Sequence, residues 1–241
     1  MTFDLSPDQQ ALAQRTRDVA ASIGDGVAHV IDTLGAIPED VAKLLKAQSL
    51  RHVFEHGVTS ALIVIEELAT VSAGLAAHVG FEAAAGADRK TVIPHAWPGL
   101  RSAELPLAAV EVGGAEIRMK GRLAAAAVAL GIGRAAVAHA VASMKKLDVK
   151  PGPDTTVPHW ALADGATEVE AARLLTYSAA QSLDRGEDAS GVIARAFEFA
   201  SKAAQRAVDA AIRVEGTSGY ARGGLLERLA RGARTLQLIL R

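Results

Sequence analysis

Several groups of side chains in this sequence have the types and spacing for chemistry. His52 and His56 stand four residues apart, which on a helix would put both imidazoles on one face like a pair of metal ligands, with Glu55 between them. The order is not H-E-x-x-H and the pair falls at an expected helix–loop boundary, so no metal site is assigned. Glu66 and Glu67 interrupt an otherwise apolar run, and a carboxyl group in such surroundings is a candidate for acid–base work. The competing expectation pairs one of them with an arginine, or solvates it, and buries the other in the scaffold. His139, in an alanine-rich run, reads as a core histidine rather than a base. Gly131-Ile-Gly133 has no preceding strand, so close helix packing explains it better than dinucleotide binding. Arg228, Arg231 and Arg234 recur every third residue and read as a solvated or ion-paired face.

The elements that would position these groups are mostly helical. Ser6-Pro7-Asp8-Gln9 is a capping box with proline at the first helical position. Leu12, Thr16, Val19 and Ile23 share a face, and Gly24-Asp25-Gly26 reads as the stop. A short helix starts at Pro38-Glu39-Asp40, with Val41, Leu44 and Leu45 inward. Residues 58–85 read as one long helix through Val58, Leu62, Ile65, Leu68, Val71, Leu75 and Val79. Between about Gly86 and Gly121 the texture changes. Pro94, Pro98 and Pro106 exclude a long helix. Val110-Glu-Val112, Gly113-Gly114 and Ile117-Arg-Met119-Lys120 alternate around a two-glycine turn, which predicts a β-hairpin leaning on the helices. Helices are expected again over 123–146, 159–186 (with Asp164, Glu168 and Arg173 facing water), 190–215 (capped by Ser190) and 225–240. The expected fold is mainly α, in three parts: an N-terminal helical domain over 1–95, a vestigial β segment over 96–120, and a C-terminal four-helix bundle over 121–241.

Composition narrows the function classes. The chain has 241 residues, half of them hydrophobic but only 4% aromatic, and small apolar side chains at that density suit closely approaching helices. A formal net charge of -1 without a basic run leaves no electrostatic footprint for nucleic acid. No cysteine is present, so disulfides and thiolate metal sites are excluded. The N-terminus does not read as a signal peptide, and the longest uncharged apolar stretches fall short of a membrane span. A soluble cytoplasmic chain is expected.

Several segments resemble the acyl-CoA dehydrogenase family. The opening helix from Leu5, the Val64-Ile-Glu-Glu-Leu-Ala69 segment, and the stretch from Leu100 to Val112 each have a counterpart there. The most specific is LADGATEVEAARLLTY from Leu162 to Tyr177, followed by DAAIRVEGTSGY from Asp209 to Tyr220 and ERLARGAR from Glu227 to Arg234. The resemblance implies a flavoprotein fold of helices, β-domain and helical bundle, acting on acyl-CoA thioesters in fatty-acid or sterol side-chain catabolism. It also implies an oligomer in which FAD bridges two subunits, the second contributing the glycine loop. By this resemblance Arg213, Gly216, Thr217 and Gly219 are the cofactor-binding residues, and the helix carrying Arg228, Arg231 and Arg234 lies near the adenine end of the flavin.

The departures matter as much. Only about Ala96–Lys120 stands where the family has a β-domain of roughly a hundred residues, and Trp97 reads as covering apolar surface beside Pro98 rather than the flavin. Lys145 falls near the family's flavin-motif arginine, with Asp148-Val149 in place of its Phe-Gly. Glu215 puts a carboxylate beside the glycine loop, where it would repel a pyrophosphate. Gly121 and Leu240 occupy the two positions at which family members carry the catalytic carboxylate, so no catalytic residue is assigned. The expectation is a non-catalytic or assisting subunit of a heteromeric flavin-dependent acyl-CoA dehydrogenase, sharing FAD with a full-length homologous partner. The alternatives are a flavin-free enzyme reusing an acyl-CoA pocket, with Glu66, Glu67, His139 or His159 as its acid or base, and a self-assembling structural or regulatory helical protein.

Overall fold

The computed structural model describes residues 5–86, 99–146 and 156–239. Among these residues there are nine α-helices and no strand: α1 Pro7–Leu34, α2 Glu39–Ala47, α3 Val58–Ala69, α4 Ala73–Ala85, α5 Glu104–Glu111, α6 Ala115–Lys146, α7 Thr156–Asp184, α8 Ser190–Glu215 and α9 Leu225–Leu236. Short 3₁₀ turns cover Val53–His56, Arg101–Ala103 and Gly216–Tyr220.

The capping box forms: Gln9 N–H donates to Ser6 Oγ at 3.2 Å, and Ser6 N–H to Gln9 Oε1 at 3.0 Å. Gly24 leaves helical geometry at φ 63°, ψ 175°, but the chain then re-enters helix as far as Leu34. The expected stop is therefore a kink. The long helix expected over 58–85 is two helices, because the Ser72 hydroxyl caps a new start by accepting from Leu75 N–H at 3.3 Å. The N-terminus of α3 is capped from far away. Asp184, at the end of α7, accepts from Val58 N–H at 2.7 Å and from Thr59 N–H at 2.9 Å. The expected Ser190 cap on α8 is instead the residue preceding the helix, Ala189, and Asp188 Oδ1 accepts the Ser190 N–H at 3.1 Å.

The expected hairpin is absent; α5 and the first turns of α6 stand in its place. The alternation Val110, Val112 would point both valines to one face of a strand, but Val110 is fully buried while Val112 is 48% exposed. Leu107 and Val110, three apart, make the buried stripe of a helix. Pro106 sits in the first turn of α5, where a missing N–H costs nothing. Gly113 and Gly114 separate two helices, and a Glu116–Lys120 ion pair at 2.7 Å bridges one turn of α6. With no third strand to lean on, helix is the cheaper answer. Trp97, Pro94, Pro98, His95, Asp148, Val149 and Leu240 lie outside the described residues.

α6, α7 and α8 form the core of the bundle, and glycine lets them approach. Gly131 rests on the α3 backbone at Glu66 and on Ala69, leaving no room for a β-carbon. A β-carbon on Gly133 would lie 2.6 Å from Val169 Cγ2, and one on Gly165 would lie 3.1 Å from Ala207 Cα. By length and composition α6 is apolar enough to cross a bilayer, but 72% of its apolar window is buried inside the bundle, the position of a core helix.

Candidate functional site

The expected acid–base candidates are spent on structure. Glu66 and Glu67 are both buried, 1% and 5% exposed. Glu66 Oε1 accepts from Arg134 at 2.6 Å and from Arg173 Nε at 3.0 Å, while its Oε2 accepts the Tyr177 hydroxyl proton at 2.7 Å. Glu67 Oε1 accepts from Arg17 Nε at 3.0 Å and from Arg134 at 3.4 Å. Four helices, α1, α3, α6 and α7, therefore meet in one ionic cluster. Burial, then the adjacent Glu66 charge, raises the Tyr177 hydroxyl well above the usual tyrosine range. Burial alone would lower Arg134 and Arg173, but the carboxylates outweigh it and both are raised. Arg173, expected to face water, turns inward. The expected pairing of one glutamate with an arginine is present for both, while the partners Arg17, Arg134, Arg173 and Tyr177 could not be named from the sequence; a lone Arg134 among alanines and glycines was the signal for one of them.

The glycine loop is different. Arg213 is exposed in the last turn of α8, and Gly216 (φ 69°), Thr217 and Ser218 follow it on the surface. A β-carbon placed on Gly216 would meet nothing within 4 Å, whereas Gly219 is buried against Glu215 and Leu226. The structure thus brings Arg213, Gly216 and Thr217 to one open surface and places Gly219 beneath it. Glu215, the carboxylate expected to repel phosphate there, is turned inward, with its Oε1 3.4 Å from Nε2 of His139 on α6. These residues suit one side of a shared anionic cofactor: an open backbone, a hydroxyl and a guanidinium. The helix dipole does not help, since α8 presents its C-terminal, partially negative end to the loop. Attraction for a phosphate falls to Arg213 and the loop itself.

The remaining candidates separate. Gly121 is buried with Val110 directly on the place a β-carbon would take. Any side chain there would have to displace that of Val110. Arg228 and Arg231 reach back to α1: Arg228 pairs with Asp25, and Arg231 makes bonds to Asp32 of 3.0 and 2.7 Å and to Glu227 of 2.8 and 3.1 Å. Hydrogen bonds donated to Asp32 and Glu227 raise Arg231 further above its already high range, and Arg231 in turn lowers Glu227. Arg234 donates to Gln237 at 2.8 Å. Arg228 and Arg231 are ion-paired, and Arg234 is exposed. His52 and His56 sit at the two ends of a 3₁₀ turn, and no group of three metal-ligating side chains occurs among the described residues. His159 is half-buried near the start of α7, and Lys145 is exposed at the end of α6.

A family description, the C-terminal domain of acyl-CoA dehydrogenases, matches residues 117–239. The chain belongs to the acyl-CoA dehydrogenase family. Over 120 residues it is 39% identical to an acyl-CoA dehydrogenase of Bacillus subtilis and 37% identical to a 3-(aryl)acrylate reductase of Clostridium sporogenes; each match takes in 49% of this chain and 32% of the relative. The chain thus matches about a third of the length of these relatives. Among solved structures it is similar to butyryl-CoA dehydrogenase from Megasphaera elsdenii (TM-score 0.78, 18% identity, 98% of this chain and 95% of that one). It is also similar to a chain of the ChsE4–ChsE5 complex from Mycobacterium tuberculosis (TM-score 0.77, 15% identity, 100% and 95%).

Proposed function

We propose that this chain is an assisting subunit of a heteromeric, flavin-dependent acyl-CoA dehydrogenase, in which a full-length homologous partner supplies the ring-covering β-domain and the base. The observation that carries the reading is Gly121 backed by Val110: one of the two positions at which the family keeps its carboxylate has neither an oxygen nor the space for one. The other is Leu240, also without an acid. Bound flavin supplies the hydride acceptor for desaturation of the thioester, and the proton abstraction belongs to the partner. This chain contributes a charge at Arg213, close backbone approach at Gly216 and a hydroxyl at Thr217, with the Glu215 carboxylate turned inward toward His139. Support also comes from a structural neighbour that is itself part of a complex of two different chains, ChsE4 and ChsE5. The flavin-free reading loses its two carboxylate candidates, since Glu66 and Glu67 are enclosed by arginines and Tyr177.

Coexpression with a full-length dehydrogenase encoded nearby tests this. The expected result is a complex that retains flavin, seen by its visible absorbance, and loses that flavin on Arg213→Glu while the complex stays assembled. Flavin held by this chain alone, together with oxidation of a saturated acyl thioester, would overturn the proposal. So would a flavin content of the complex indifferent to Arg213.

A further inference from the structure

The glycine loop is fastened at both ends. On the α8 side the Ser218 hydroxyl donates to Glu215 O at 2.8 Å, and Gly219 packs on Glu215 and Leu226. Tight turns then run on to α9, with Ala221 N–H donating to Ser218 O at 3.2 Å and Gly224 N–H to Ala221 O at 2.9 Å. The far anchor is Gly223, whose φ of 80° lies in the left-handed region that favours glycine. Its carbonyl accepts from Arg228 Nη1 at 2.6 Å, and its N–H donates to Glu227 Oε2 at 3.3 Å. Both side chains come from the start of α9, and the arginine is itself held from elsewhere.

Arg228 is 8% exposed and divides its terminal nitrogens between two acceptors, Nη1 on Gly223 O and Nη2 on Asp25 of α1. A guanidinium holds its donors in one rigid plane, so fixing one acceptor aims the group at the other. Asp25 itself is exposed, while the guanidinium it fixes is buried. His29, one turn on from Asp25, lies against the same glycine: a β-carbon on Gly223 would fall 3.1 Å from the His29 Cε1. Asp25 sits where it does because Gly24 (φ 63°, ψ 175°) breaks α1 immediately before it. A β-carbon on Gly24 would meet nothing, so the backbone conformation, and not packing, is what requires glycine there. One short segment of α1 thus bears on the end of a loop that lies far along the chain.

We infer that Asp25 and Arg228 are positioning residues for the glycine loop. The Asp25 carboxylate aims the Arg228 guanidinium, which holds the Gly223 carbonyl and so sets how Gly216 and Thr217 are presented to the phosphates of the shared cofactor. The clamp is a property of this chain; its effect on the cofactor rests on the flavin reading above. Asp25→Asn keeps the side chain's size, removes its charge and, at an exposed position, is expected to leave helical circular dichroism unchanged. In the chain alone it is expected to quicken amide exchange about tenfold at residues 221, 223 and 224, the loss of one charge-assisted bond, while residues 203–211 of α8 stay as they were. Arg228→Lys, which keeps a charge for Asp25 without the planar fork, is expected to do the same, and Asp25→Glu to restore most of the protection. Arg17→Gln cuts α1 from Glu67 instead and is expected to leave the loop unaffected. In the coexpressed complex, Asp25→Asn is expected to release flavin about tenfold faster, read from the rise in free-flavin fluorescence, with both chains still assembled. Loop exchange that is unchanged in Asp25→Asn, or quickened equally by Arg17→Gln, overturns the inference. So does flavin release indifferent to Asp25 in a complex that loses its flavin on Arg213→Glu. An unmodified complex without flavin removes the flavin reading and the cofactor half of the inference together, and the exchange comparison still decides the clamp.

Discussion

α6, α7 and α8 are held together by what their side chains lack: Gly133 and Gly165 remove the atoms that would keep the backbones apart, and Gly131 does the same where α6 crosses α3. The N-terminal helices are held by what their side chains carry. Glu66 and Glu67 gather Arg17, Arg134, Arg173 and Tyr177, and Asp25 and Asp32 catch the arginines of α9. The first kind of contact is intolerant of added volume, the second of a missing partner. A buried ion cluster adds little net energy over an apolar one but is costly to break, because removing one member strands the others. The contrast explains why the charges inside the molecule are poor candidates for catalysis, while the glycine loop, packed at Gly219, keeps an open face at Gly216 and Thr217.

Removing a partner should cost most. Glu66→Ala leaves Arg173 and the Tyr177 phenol without their buried carboxylate and Arg134 with only Glu67, and a loss of about 3–5 kcal/mol is expected, toward the lower end because both arginines are partly exposed. Denaturant unfolding measures it, and a loss under about 1 kcal/mol would remove the cluster from this account. Adding volume comes next. Gly131→Ala should cost about 1–3 kcal/mol. Gly26→Ala, where a β-carbon meets nothing, should instead gain up to about 1 kcal/mol. Similar values for the two would erase the distinction between the regions. Asp184→Ala uncaps α3 from 126 residues away and should cost about 1 kcal/mol, with amide exchange at Val58 and Thr59 accelerating first.

The smallest effect is a pH slope. Tyr177 is raised in the folded state, so above about pH 10 the unfolded chain ionises its tyrosine first and stability falls as pH rises. Tyr177→Phe should abolish that part of the alkaline slope. An unchanged slope would mean the phenol is less enclosed by Glu66 than its 2.7 Å bond requires.

Much of the helical plan was legible because capping and periodicity are local: the Ser6–Gln9 box, the short helix from Glu39 and the run ending at Glu215 are where pattern places them. The failures share a cause. Residues 110–120 satisfy both a two-residue and a helical period, and only the packing of Val110 against Gly121 decides between them. The Ser72 start was hidden because apolar residues continue on both sides of it. For the site, the glycines and Arg213 could be named from the segment that carries them. That Glu215 turns inward toward His139, 76 positions earlier, could not, because nothing local records a contact across the bundle.

The kink at Gly24 has a further consequence. Beyond it, Asp25 and Asp32 are fastened to Arg228 and Arg231, partners about two hundred positions later in the chain. The second half of the first helix therefore belongs mechanically to the last one, and the front half, anchored by Arg17 on Glu67, belongs to the centre. Synthesis must deliver α9 before the beginning of the protein can be fully locked. Trimming the final helix would loosen residues 25–34 before it disturbed the bundle beside it.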